Sequence, residues 1–332
     1  MSAQIAPQTL REAVAPPERR GLARDAVAML VTLRDRHVHE HAQFFDLPRY
    51  VRPGDLFVVN DSATVAAALR AVRANGEALA LHVSTIIDAG LWMVEPRGEV
   101  SAGEDLELAA GGRATILAPV GQTTARLWYA RFNLPLPMHA FMAKVGEPIR
   151  YKYVERRFPL SDYQTIFARK PGSSEMPSAA RPFTEALVRR VRRAGARLAP
   201  ITLHCGVSSF EAPERPPIER FAVPPQTAAL ANAARRNGNR VIAVGTTVVR
   251  AMESAMSEGE IIASSGWTDL IVEPEHRLRA VDALITGFHE PSATHVAMLR
   301  AFLTDDLLTQ AYDEAAGAGY FIHEFGDIHA IF

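Results

Sequence analysis

One cysteine, Cys205, stands in a chain of 332 residues, which excludes an internal disulfide framework and a cysteine-rich zinc module. Lysine is nearly missing as well. Of 36 basic residues only Lys144, Lys152 and Lys170 are lysines, a bias that genome composition produces without any function. No excess of charge is present, since 37 acidic residues give a formal net charge of −1, and this argues against a globally basic nucleic-acid binder while allowing a local patch. No run approaches the roughly 20 apolar residues that span a bilayer, and no basic-then-apolar pattern opens the chain. A soluble protein kept in a reducing cytoplasm is the expectation.

The rest is an ordinary globular composition, 48% hydrophobic and 22% charged, with length for two domains or for one domain with an insertion. The first 25 residues, rich in Ala, Pro and Arg, read as a loosely held arm. Ala26 to Leu33 and Leu56 to Val59 read as buried strands, the second ending at the polar step Asn60-Asp61. From Ala66 to Phe132, short Val-, Leu-, Ile- and Trp-rich runs recur near every ten residues between glycine turns, which predicts a barrel or sandwich. Thr124 to Phe132 is one of its strands.

Beyond Leu134-Pro135-Leu136-Pro137 strands and helices alternate. Helices are expected over Phe183 to Ala194, Gln226 to Asn237, Ala293 to Phe302 and Asp305 to Ala316, and another to about Met256, capped by Thr246 or Thr247. Strands are expected at Pro200 to His204, Arg240 to Val244, Leu270 to Val272 and Leu284 to Thr286. The fold class is therefore an α/β domain with an inserted all-β, barrel-like domain: 1–65 and 151–332 form the discontinuous α/β domain, and 66–150 the insertion.

Several phrases carry chemistry. Arg240 to Arg250 reads strand, glycine turn, hydroxyl, helix, a place where backbone N–H groups hold a carboxylate or phosphate, although a merely well-capped helix reads the same way. It has neither the glycine spacing nor the lysine of a nucleotide-phosphate loop. His204 ends a strand beside Cys205, but adjacent strand residues face opposite ways, so the two make no nucleophile pair. His289-Glu290 and His323-Glu324 lie among aromatics, where pKa values shift, and their adjacent spacing gives no shared face for a metal. Arg189, Arg190, Arg192, Arg193 and Arg197 form the densest basic run, a solvated face by default and an RNA-backbone contact by the functional alternative.

Read together, Phe45 to Asp61, Tyr163 to Ala168, Ile201 to Gly206, Arg240 to Arg250, Thr268 to Ile271, Val281 to His289 and Glu324 to Asp327 resemble, in order, the S-adenosylmethionine:tRNA ribosyltransferase-isomerase family of queuosine biosynthesis. The resemblance implies an α/β domain with a β-barrel insertion and an enzyme with no cofactor and no metal. S-adenosylmethionine would be its co-substrate, donating a ribosyl moiety to a 7-aminomethyl-7-deazaguanine in tRNA and releasing adenine and methionine. His204, His289, Glu324 and Asp327, each at an expected strand end or sheet edge where an α/β sheet concentrates ligand contacts, are the catalytic candidates. Asn60, Asp61, Tyr163, Gln164, Arg181, Thr246, Thr247, Arg250, Thr268 and Asp269 are the corresponding substrate contacts.

The chain departs from the family pattern in places. Ala63 and Ala68 stand where the family has arginines, Arg181 and Pro182 where it has Leu and His, Glu211 where it has a positive charge, and Glu290 where it has leucine. Lost arginines and gained glutamates weaken an anionic-acceptor site more than a sulfonium site. A small-molecule acceptor, donor cleavage without an acceptor, and an inactive RNA- or ligand-binding relative stay open at this point. Oligomeric state is not legible.

Overall fold

Four apolar runs, Leu56–Asn60, Arg197–Leu203, Val241–Val244 and Ala283–Gly287, lie side by side as parallel strands in the computed structural model, which describes residues 10–88, 90–121, 126–207, 217–290 and 294–332. Three of these four are buried along their whole length, as strands covered on both faces must be. They are the middle of a nine-stranded sheet. Glu219–Val223 and Ser264–Thr268 extend it at one edge, and Ile328–Ile331, Ala28–Leu33 and Val38–Gln43 at the other.

Two cores fill the two faces. One packs Pro225–Arg236, Thr246–Ser254 and Asp305–Gly317 against the sheet through residues such as Ala231, Val248 and Leu308. The other packs Glu185–Arg193 through Leu187 and Val191 against Phe57, Ile242 and Ile285.

The fold class read from sequence is borne out. Six antiparallel strands between Ala68 and Asn133 close into a barrel in the spatial order Arg113–Pro119, Trp128–Asn133, Leu91–Pro96, Ala78–Ile86, Ala68–Val72, Asp105–Leu108. Its interior is an alternating set that includes Leu69, Leu81, Val94, Leu106, Ile116 and Ala130, and the helix Met138–Val145 packs Phe141 and Met142 onto it. The chain leaves the barrel beside the point where it came in, because Ala68 and Glu147 exchange two backbone hydrogen bonds of 2.9 Å. Only glycine fits at Gly146, where a Cβ would lie 2.0 Å from the Ala66 carbonyl oxygen. On the barrel wall Glu95 is buried and accepts from His82 at 2.9 Å, Arg126 at 2.7 Å and Arg97 at 3.1 Å. These partners outweigh the cost of burial and hold its carboxyl down to about 2.

Four expectations need correction. Residues 10–25 are not a loose arm: Arg11–Glu12 pairs in parallel with Phe321–Ile322, and Leu10 and Ala13 are buried. Residues 1–9 lie outside the described part. Leu270 to Val272 is not a strand; the edge strand is Ser264–Thr268, while Leu270, Ile271 and Val272 turn into a cavity. Neither Thr246 nor Thr247 caps its helix, because Gly245 is the N-cap at φ 101°, a left-handed value suited to glycine, and no side-chain cap is present. The strand expected over 124–132 runs Trp128–Asn133, residues 124 and 125 lying outside the described part.

Candidate active site

The C-terminal ends of the parallel strands, where an α/β sheet gathers ligand contacts, open on a cavity of about 1430 Å³ counted out to open solvent. Gly245, Thr246 and Thr247 form one wall. With no side-chain cap on this helix, the N–H groups of Thr246 and Thr247 are available to an anion from the cavity, while that of Val248 donates to the Gly245 carbonyl at 3.1 Å. Asn60 braces this turn from below: its Nδ2 donates to the Leu203 carbonyl at 2.8 Å and to Thr247 Oγ1 at 3.4 Å.

The opposite wall is acidic and aromatic. Tyr151 donates to Glu175 and Tyr153 to Glu324. The two phenol rings stack at 5.9 Å, and Tyr153 stacks on His323 at 4.2 Å and 12°. Glu324 keeps part of its side chain at the cavity surface, yet its surroundings strip water from the carboxyl and push its pKa up, against the hydrogen bond from Tyr153. Burial first, and then the neighbouring carboxylates, drive both phenols upward, so both stay protonated. Burial alone takes His323 down to about 4, which keeps it neutral.

Between these walls Arg250 pairs with the buried Glu219, and its Nε donates to the Leu270 carbonyl at 2.9 Å. Burial raises Glu219, while Arg250 and the Gly206 N–H draw it back. Arg250 thus fixes the Thr268 to Leu270 loop and is committed to Glu219. Cys205 also lines the cavity, but burial and Glu219 push its thiol up, so it offers no thiolate.

Of the catalytic and substrate-contact candidates named from sequence, Tyr163, Thr246, Thr247, Arg250, His289 and Glu324 line this cavity. The others do not. Asp61 accepts from Thr202 at 2.6 Å and pairs with Lys170 at 3.3 Å. Gln164 clamps the backbone of Thr64, itself a lining residue, from both sides. Arg181 lies beneath, bound to Glu18 at 3.0 Å and the Asp162 carbonyl at 2.9 Å with its guanidinium over Phe325. Thr268 bonds Ser254 Oγ at 2.6 Å, and Asp269 is exposed. His204 bonds Ser62 Oγ at 2.7 Å on the other face of its strand from the cavity-lining Cys205. Asp327 accepts from the N–H groups of Ala28 at 2.8 Å and Phe321 at 2.7 Å, joining the C-terminal turn to the sheet and the N-terminal segment.

Tyr151, Tyr153, Glu175 and Glu219 went unread in the sequence, whereas His323, read there beside Glu324, lines the cavity. The first two sit at a turn closed by the Val154 N–H on the Tyr151 carbonyl at 3.0 Å, so their i, i+2 spacing carried no strand period to read. Glu12, Glu290 and His323 bring one possible metal-ligand atom each within 4.8 Å of one another, with Glu12 exposed and Glu290 half-buried.

The fold and the cavity define a class: an α/β enzyme with a barrel insertion, whose site pairs an uncapped helix start with buried carboxylates and phenols. Comparison narrows it. The family described as queuosine biosynthesis protein matches residues 7–331, and the chain belongs to that family. It is 36% identical over 319 residues to the S-adenosylmethionine:tRNA ribosyltransferase-isomerase of Moorella thermoacetica, with 92% of each chain covered. It is 34% identical over 322 residues to the protein of that name from Thermus thermophilus, again with 92% of each covered. The crystal structure of an S-adenosylmethionine tRNA ribosyltransferase from Thermotoga maritima superposes with a TM-score of 0.53 at 27% identity, covering 93% of both chains.

Proposed function

We propose that this enzyme transfers and isomerises the ribosyl moiety of S-adenosylmethionine onto a 7-aminomethyl-7-deazaguanine in tRNA, forming epoxyqueuosine and releasing adenine and methionine. The observation that carries this reading is the family match along almost the whole chain, barrel and sheet together. The cavity supports it chemically. The donor is a sulfonium with an ammonium and a carboxylate at its far end. The N–H groups of Thr246 and Thr247 suit the carboxylate, and Glu175, Glu324 and the Tyr151 face suit the cationic groups.

The sulfonium acidifies the adjacent ribose C5′ hydrogen, so a positioned base starts the reaction with no metal and no organic cofactor. Glu324 takes that proton, with Tyr153 orienting its carboxylate, and His289 serves the later proton transfers. His204 and Asp327 act from outside the cavity, through the segments they anchor. Among the described residues no helix is long and apolar enough to cross a membrane, and a cytoplasmic location fits a tRNA substrate.

The test is incubation with S-adenosylmethionine, with and without tRNA carrying the aminomethyl-deazaguanine. Adenine and methionine are expected in equal amounts only when the tRNA is present. Equal release without tRNA would replace the acceptor by water or a small molecule, and no release at all would make the chain an inactive relative.

A further inference from the structure

The sheet is covered on both faces across most of its width, but among the described residues nothing packs over one face at the Ser264–Thr268 edge, where Ser265 and Trp267 are exposed. Along Arg197–Leu203, Ala199, Ile201 and Leu203 enter a core, so Thr202 and the following His204 point to the other side. Phe221 and Val223 enter the same core, which turns Arg220 and Ala222 to that other side too.

The register lines these residues up. Leu203 pairs with Phe221, and the His204 N–H continues the ladder to the Arg220 carbonyl at 3.0 Å. Arg220 in turn pairs with Trp267. Directly opposed residues share a face with Cβ atoms about 5 Å apart, so His204, Arg220 and Trp267 form one row across three strands. Thr202, Ala222 and Ser265 form the next row. Arg220, Ser265 and Trp267 are exposed, the tryptophan residue at 43%.

Lys170 prolongs the platform at its inner end, donating to Thr202 Oγ1 at 2.9 Å with Asp61 at its side, and Arg169 beside it is exposed. His204 is seated from behind by Ser62 and by Gly172, where a Cβ would fall 2.5 Å from His204 Nδ1. Burial, Arg220 and His139 keep this imidazole neutral, so it offers a hydrogen bond and no charge.

A lone exposed tryptophan carries no message. One in register with a guanidinium and an imidazole, beside an ammonium, has the make-up of a surface for unpaired nucleotides, which stack on aromatic faces while cations meet their phosphates. Among the described residues Lys170 and Arg220 outnumber Asp61 on this face, so the charge suits a polyanion. The platform also abuts the cavity, since Cys205 follows His204 and Glu219 precedes Arg220, and both line it.

The arginine-rich helix is placed differently. Glu185–Arg193 runs back toward Gly195, whose carbonyl accepts from the Gly54 N–H at the start of the strands. Arg190 to Arg197 therefore sit at the sheet edge away from the cavity, about 20 Å along a seven-residue strand.

We propose that this open sheet face docks the unpaired RNA nucleotides flanking the acceptor base, Trp267 by stacking and Arg220, His204 and Lys170 at phosphates. The proposal rests on tRNA being the acceptor. It is tested with the same precursor tRNA by fluorescence anisotropy over a salt series. Trp267→Ala is expected to weaken binding roughly tenfold or more and Trp267→Phe to restore most of it. Arg220→Gln should lower the salt slope by about one. S-adenosylmethionine binding should be unchanged in all three variants, and joint Gln replacement of Arg189, Arg190, Arg192 and Arg193 should leave tRNA affinity as in wild type.

If wild type binds tRNA and Trp267→Ala and Arg220→Gln bind it equally well, the docking face is wrong while the acceptor reading stands. If wild type neither binds nor modifies the tRNA, both fall. A change in sedimentation of Trp267→Ala without RNA would assign the face to a second copy of the chain and overturn the proposal as well.

Discussion

Glu324→Gln is expected to lower tRNA-dependent release of adenine by about 10²- to 10⁴-fold, the usual span for a general acid–base group, with S-adenosylmethionine affinity within a few-fold of wild type. Gln keeps the shape and can still accept from Tyr153, so the cavity survives while the base is lost. The pH profile carries the sharper signature. Glu324 works ionised, and its pKa is raised by burial, so kcat/KM should rise with pH through a value above the ordinary carboxylate range. The Tyr153 hydrogen bond draws that pKa down, so Tyr153→Phe should move the acid limb to still higher pH. An acid limb at the usual carboxylate value, or one that persists in Glu324→Gln, would remove Glu324 from the role.

The second large effect concerns stability. Glu95 is lowered from 4.5 to about 2 in the folded barrel. Such a shift corresponds to about 3 kcal/mol of stability at neutral pH. Because the folded value is the lower one, this contribution is complete above the unfolded pKa and fades as pH falls from about 4.5 toward 2. Glu95→Gln, which leaves Arg126, Arg97 and His82 facing a neutral amide, should therefore unfold at lower urea than wild type at pH 7. The gap should shrink to about half or less by pH 3. A gap independent of pH, or none at pH 7, would show that the cluster contributes nothing through its charge.

Strand period made the architecture legible. The barrel announces itself by alternation, and the parallel strands by unbroken apolar runs such as Leu56 to Val59 and Val241 to Val244. What failed was local. Ser264–Thr268 is polar and small apart from its tryptophan, so it reads as a loop, while the apolar Leu270 to Val272 just beyond it reads as the strand. Residues 10–25 look disordered because few of them are apolar, yet Leu10 and Ala13 suffice once Phe321–Ile322 offers a strand to pair with.

Within the site, the strand-end rule found Thr246, Thr247, His289 and Glu324. It could not decide parity, and His204 and Asp327 came out facing away from the cavity. Tyr151, Tyr153 and Glu175 escaped because they sit on irregular chain, where no period reports which way a side chain points.

The central claim is that S-adenosylmethionine is broken at the C-terminal edge of the sheet, between the Gly245 to Thr247 turn and Glu324. A crystal structure with the donor bound to Glu324→Gln tests it most directly. The account predicts the methionine carboxylate on the N–H groups of Thr246 and Thr247, with the ribose C5′ facing residue 324 within about 3.5 Å of the side chain, the span of a near-attack contact. Donor density elsewhere, such as the groove of Trp92, Phe132 and His139 on the barrel, or a C5′ turned away from residue 324, would contradict it.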